Sequence, residues 1–255
     1  MAVPSAGVRP FGPVEPTVLP YTWRNDPLFM RAPMAAFVFI AAVSLACLPW
    51  LPVYAQVVDG PFGFLEVGTP IMALYGMTLA VRLLCHRRNF PSAWMVVWFG
   101  FFAVGCFVFA GEDVNWGQIW FRWATPAGWE AINIEKETNL HNLSLWAEQI
   151  PKAALTVAVL VTGVVWPLWA RSHPAPWLVA ATPFRFIWPN PALWPAAAFA
   201  LAIRIFERGL VWAKVPGLRG PILHSIKEMI EVFLIMFVVL YLLDMCRIYA
   251  RDGGR

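Results

Sequence analysis

The sequence predicts an all-α protein: a polytopic transmembrane helical bundle of about six spans, with a long interfacial loop containing short helices. Three observations predict it. First, 60% of the 255 residues are hydrophobic and only 13% are charged, against about 45–50% and about 25% in soluble domains. Second, the apolar residues fall in continuous runs near the roughly 20 residues that a bilayer-spanning helix needs. A β-barrel would show alternating segments of about ten residues instead. Third, the chain carries 15 Trp, a residue that gathers at membrane–water boundaries because its ring is apolar and its N–H needs a partner. A soluble globular enzyme and a disordered chain are both excluded on these counts.

Residues 1–32 hold Pro4, Pro10, Pro13, Pro16, Pro20 and Pro27. Proline at this density prevents a helix, so a Pro-rich arm is expected. No cleavable signal peptide is expected, because the first apolar run begins only near Pro33. The membrane domain is then 33–246. Its first span covers about 33–55, with Pro49 and Pro52 kinking or ending it. The second covers about 67–85 and stops at His86-Arg87-Arg88. The third runs from Ser92 to Gly111. A polar segment, 112–151, follows. The fourth span, about 152–170, ends at Arg171, before a Pro- and Trp-rich loop over 172–190. The fifth, about 191–206, is short and ends among Arg204, Glu207 and Arg208. The sixth, about 222–246, leads into a short basic tail over 247–255.

Lys/Arg asymmetry orients the bundle. The N-terminal arm (Arg9, Arg24, Arg31), the 86–91 loop (Arg87, Arg88), the 172–190 loop (Arg185) and the C-terminal tail (Arg247, Arg251, Arg255) alternate onto one side. Both termini are therefore expected in the cytoplasm. The 112–151 loop is acidic and expected outside. The 207–221 loop, with Arg208, Lys214 and Arg219, runs against this trend. The net charge of +4 and the absence of a long Lys/Arg run suit anionic lipid headgroups and not nucleic acid. Cys47, Cys85, Cys106 and Cys246 form no C-x-x-C and are read as packing residues.

That topology brings the polar residues to one membrane face. Glu112 and Asp113 end the third span as adjacent carboxylates, able to hold a cation or to be solvated where the helix leaves the bilayer. Trp116, Trp120 and Trp123 recur at i, i+4, i+7, which predicts a short interfacial helix with three anchoring indoles on one face. His141, between Asn139 and Asn142, is a candidate ligand or general base. In the sixth span His224, Glu228 and Glu231 share one helical face and run roughly 10 Å inward at the helical rise. A carboxylate inside the bilayer is costly and needs a partner. Arg204, Arg208 and Lys227 would make it a structural ion pair. Glu112, Asp113 and His141 would make it a metal or proton site.

The string Gly111-Glu112-Asp113-Val114-Asn115-Trp116-Gly117-Gln118, then Thr125-Pro126, then Glu137-Thr138-Asn139-Leu140-His141-Asn142, resembles a pattern in a group of uncharacterised bacterial polytopic membrane proteins. In that pattern Glu stands where this chain has Asp113, and Ser where it has Asn115. The resemblance implies a bacterial inner-membrane setting and no particular activity.

No nucleotide-binding, nucleophile-elbow or zincin motif is present. With His86 and His173 expected inside, a three-His zinc site is excluded at the outer face. A mixed His/carboxylate set would suit Mn, Fe, Mg or Ca. No membrane His pair is placed to ligate haem. Two readings follow. One is an accessory or scaffold subunit of a larger photosynthetic or respiratory membrane complex, binding lipid or pigment and partner helices. The other is a membrane-embedded, metal-dependent hydrolase acting on lipid at the outer leaflet, with Glu112, Asp113, His141, His224 and Glu228 as its candidate residues and His224, Glu228 and Glu231 as metal ligands. A transporter fits less well, because no internal repeat and no mid-membrane polar pair is visible.

Overall fold

The computed structural model describes residues 26–58, 60–133, 136–140, 143–172, 186–214 and 220–250. Among them every regular element is helical. The helices are α1 (Pro27–Cys47), α2 (Leu51–Val57), α3 (Phe64–Cys85), α4 (Trp94–Asp113), α5 (Gln118–Phe121), α6 (Ala127–Glu130), α7 (Leu145–Leu160), α8 (Trp166–Ser172), α9 (Trp194–Trp212) and α10 (Pro221–Tyr249). A π-helical turn, Val161–Val165, joins α7 to α8 in one rod. Five helical segments are long and apolar enough to cross a membrane: α1, α3, α4, the Ile150–Trp169 part of the rod, and α10. The chain is a multi-pass helical membrane protein on that basis. The fifth expected span is α9. Its 19 residues reach roughly 28 Å at the helical rise, but it carries Arg204, Glu207 and Arg208.

α1 starts at Pro27, ahead of the expected start near 33. Asp26 explains this: its Oδ1 accepts from the Leu28 N–H at 2.8 Å, and Pro27 supplies a first helical residue whose missing N–H costs nothing there. The helix stops at Cys47. Pro49 and Pro52 split the expected first span into α1 and the short α2.

α10 is the centre of the bundle. Of its apolar window, 78% is buried inside the protein, and Phe233, Leu242 and Met245 are fully enclosed. A helix apolar on all sides belongs in such a position. Lipid tails are as apolar as leucine, so close packing and polar contacts hold the helices together. Trp98 of α4 donates from Nε1 to the Tyr241 hydroxyl of α10 at 2.9 Å. α9 approaches through Ala196, Ala197 and Ala200, all buried. The rod comes equally close at Gly163, where a Cβ would lie 2.5 Å from Ala197 Cβ and 2.7 Å from the Phe237 ring. α1 is peripheral, joined to α9 by a Phe37–Phe199 stack at 4.7 Å.

The helix ends gather in two groups. At one end Arg247 pairs with Asp26 and Asn89 Nδ2 donates to the Tyr249 carbonyl at 2.8 Å. There too the Tyr249 hydroxyl donates to the Phe186 carbonyl at 2.8 Å. At the other end lie the starts of α3, α7 and α10, the end of α4 and the loop that follows it.

Candidate metal centre

Four helices bring charge to that second end. Glu66 lies in the first turn of α3, where the helix N-terminus favours a carboxylate. Asp113 is the last residue of α4, where the dipole disfavours one, so its surroundings must justify it. Lys152 lies on α7. His224, Glu228 and Glu231 project from one face of α10, as their spacing predicts.

These side chains meet. His224 stands between two carboxylates, with Nδ1 3.7 Å from Glu66 Oε1 and Nε2 3.9 Å from Glu228 Oε1. Lys152 Nζ lies 2.8 Å from Glu231 Oε1. Donor atoms of Glu66, His224 and Glu228 all lie within 4.8 Å of one another, and so do those of Asp113, Glu228 and Glu231. Glu228 belongs to both groups and is only 8% exposed. Its Oε2 is buried and has no hydrogen-bond partner among the described residues, and the same holds for Asp113 Oδ2. Leaving such oxygens unmatched in a dry setting is expensive. The His224 side chain is half exposed, so the cluster is reachable from the surface. Carboxylates with one imidazole are a donor set for a divalent cation of the Mn, Fe, Mg or Ca type.

Glu112 and Asp113 do not act as a pair. Successive helical residues point about 100° apart, and the two serve different neighbours. Glu112 faces the loop, accepting from Trp116 Nε1 and from the Leu140 N–H, each at 2.6 Å. It closes a polar network. Asn139 Nδ2 donates to Asn115 Oδ1, and Asn133 Nδ2 donates to the Asn139 carbonyl at 2.9 Å. Gln118 Nε2 donates to Thr125 Oγ1 at 2.7 Å, while its Oε1 accepts from the Thr138 N–H at 2.8 Å. Thr125 Oγ1 in turn donates to the Lys136 carbonyl. Among the described residues of the two strings, Glu112, Asn115 and Gln118 thus bind Leu140, Asn139 and Thr138 respectively.

The three-indole stripe does not form. Asn115 and Trp116 have positive φ, 49° and 55°, Gly117 has 96°, and Arg122 has 54°. These break the segment into a 3-10 turn and the four-residue α5. Trp116 instead folds back over Gly111, where a Cβ would meet its ring at 2.7 Å, and packs edge-on to Phe107. Trp123 stacks with Phe121. Trp116, Trp120 and Trp123 all keep partly exposed rings.

His141 lies outside the described residues. Arg204 and Arg208 do not reach the α10 stripe, since both face the buried Glu207 of their own helix, at 3.6 and 3.4 Å. Lys227 is exposed. Among the described residues, Lys152 is a cation that meets the stripe; sequence reasoning missed it, as it missed Glu66. Each lies at the start of an apolar run on the face where the polar residues were expected to collect. That placement was the available signal. The four cysteines are free thiols, two of them buried.

The fold and the cluster define a class: a multi-pass helical membrane protein with a carboxylate–histidine centre at one end of the bundle. No protein-family model, curated protein or solved structure matches the chain.

Proposed function

We propose that this chain is a multi-pass protein of the bacterial inner membrane that binds a divalent cation at its outward end and uses it to hydrolyse lipid at the outer leaflet. One observation carries the reading. Glu228 buries a carboxylate oxygen without a partner, amid Glu66, Asp113, His224 and Glu231. A cation supplies what that oxygen lacks. Bound to a metal, water becomes a nucleophile near neutral pH. Its oxygen would bond to the acyl or phosphoryl centre. The ester bond would break with its electron pair on the leaving alkoxide, which takes the proton from the water. The Lys/Arg bias supports cytoplasmic termini and an outward cluster. Partly exposed Trp116, Trp120 and Trp123 suit the headgroup level.

The test is the full chain in mild detergent, with elemental analysis and hydrolysis of phospholipid vesicles before and after chelation. Bound metal and a chelator-sensitive release of headgroup or fatty acid are expected. A chain that takes up no divalent cation overturns the reading.

A second reading is an accessory or scaffold subunit of a larger membrane complex. The polar network around Asn115, Gln118 and Asn139 favours it, as do the outward apolar residues Val38, Phe39 and Leu45 of α1. Its signature is co-purification in a stoichiometric assembly without metal.

A further inference from the structure

We infer that Glu228 bridges two divalent cations, one shared with Glu66 and His224 and the other with Asp113 and Glu231. The inference rests on the metal-centred reading above and specifies its nuclearity.

The argument starts from spacing. His224, Glu228 and Glu231 occupy i, i+4 and i+7 of α10, so Glu228 lies between the other two on one face. Glu66 of α3 comes in beside His224, and Asp113 of α4 comes in beside Glu231. Two groups of three donors result, each with its atoms within 4.8 Å of one another, and Glu228 is the residue they share. A carboxylate has two oxygens and can give one to each ion. Those of Glu228 already differ: Oε1 faces His224 Nε2 at 3.9 Å, while Oε2 is buried and unpartnered. Asp113 Oδ2, in the second group, is likewise buried and unpartnered. Both unmatched oxygens therefore fall on the Asp113 side, while Glu66 Oε1 and Glu228 Oε1 flank the two ring nitrogens of His224 on the other.

Charge supports two ions over one. Among the described residues, Lys152 brings an ammonium to the carboxylates Glu66, Asp113, Glu228 and Glu231, 2.8 Å from Glu231 Oε1. With all four carboxylates ionised, one divalent cation leaves net negative charge in a largely covered place. Two cations sharing a hydroxide remove it. Paired metal sites hold their ions about 3.5–4 Å apart, a separation that a bridging carboxylate spans. Helical bundles build such centres from side chains on facing helices.

The full chain in detergent, stripped with chelator and re-equilibrated with Mn2+, tests this by elemental analysis and electron paramagnetic resonance. About two Mn2+ per chain with an exchange-broadened signal are expected, as for a paired site. His224→Ala, at a half-exposed position, should fall to about one Mn2+ with an isolated-ion signal. Glu228→Gln should abolish the exchange-broadened signal. If Glu228→Gln does not fold, His224→Ala carries the test. A single Mn2+ with an isolated-ion signal in the unaltered chain overturns the bridge and leaves the metal-centred reading standing. No bound Mn2+ overturns both. A His224→Ala chain that keeps two ions, or loses both, also overturns the bridge.

Discussion

Lys152 of α7 lies 2.8 Å from Glu231 of α10, and this contact joins the peripheral rod to the central helix beside the carboxylate cluster. Lys152 is partly exposed and Glu231 is largely covered. Lys152 therefore holds α7 in place, and its charge would compete with any cation held at Glu231.

Lys152→Gln separates those effects. Loss of a charge-assisted contact with one partly exposed partner is expected to cost about 1–2 kcal/mol. A chelator-treated variant should melt earlier than the unaltered chain. With the competing charge gone, added Mn2+ should raise its melting temperature by more than it raises that of the unaltered chain. Thermal melts in detergent at several Mn2+ concentrations measure both.

Glu112→Gln should behave differently. Glu112 accepts from two N–H donors through its two oxygens, whereas a glutamine turns one acceptor into a donor. An N–H facing an N–H is expected to cost about 1–3 kcal/mol. Metal content should not change, because Glu112 faces the loop and not the cluster. A melt paired with elemental analysis checks this, and loss of metal would contradict the separation of Glu112 from Asp113.

Gly111→Ala places a Cβ 2.7 Å from the Trp116 ring. The ring must move, and its Nε1 contact with Glu112 goes with it. A destabilisation of about 1–3 kcal/mol is expected from the overpacking. A Trp116→Phe control identifies which part of the tryptophan emission shift comes from this indole.

Metal retention should fall as the pH is lowered. Carboxylates and imidazole bind a cation only when deprotonated, so protons compete at every donor in the cluster. Equilibrium dialysis with Mn2+ across pH 5 to 8 should show weaker binding at the acidic end. Binding that strengthens on acidification would speak against this donor set.

Several features were legible because they depend on local chemistry. The α10 stripe of His224, Glu228 and Glu231 follows from helical spacing alone. So does the interruption near Pro49 and Pro52, since proline cannot continue the hydrogen-bond ladder. Elsewhere local pattern misled. Trp116, Trp120 and Trp123 have helical spacing, yet Trp116 obtains a Glu112 contact and a seat over Gly111 only if the backbone turns left-handed there. Adjacent Glu112 and Asp113 read as a pair in one dimension, but their helix turns them toward different neighbours.

Composition and the length of the apolar runs settle the class of the molecule, and helical spacing settles that His224, Glu228 and Glu231 share one face of α10. Burying long apolar runs leaves a helical bundle as the solution. Tertiary structure alone decided the partners. Glu66 and Lys152 join the α10 stripe because α3 and α7 pack beside that helix in a particular rotation, set by close contacts such as Gly163 against Ala197 and Phe237. Such contacts lie between residues distant in the chain, so no local pattern encodes them.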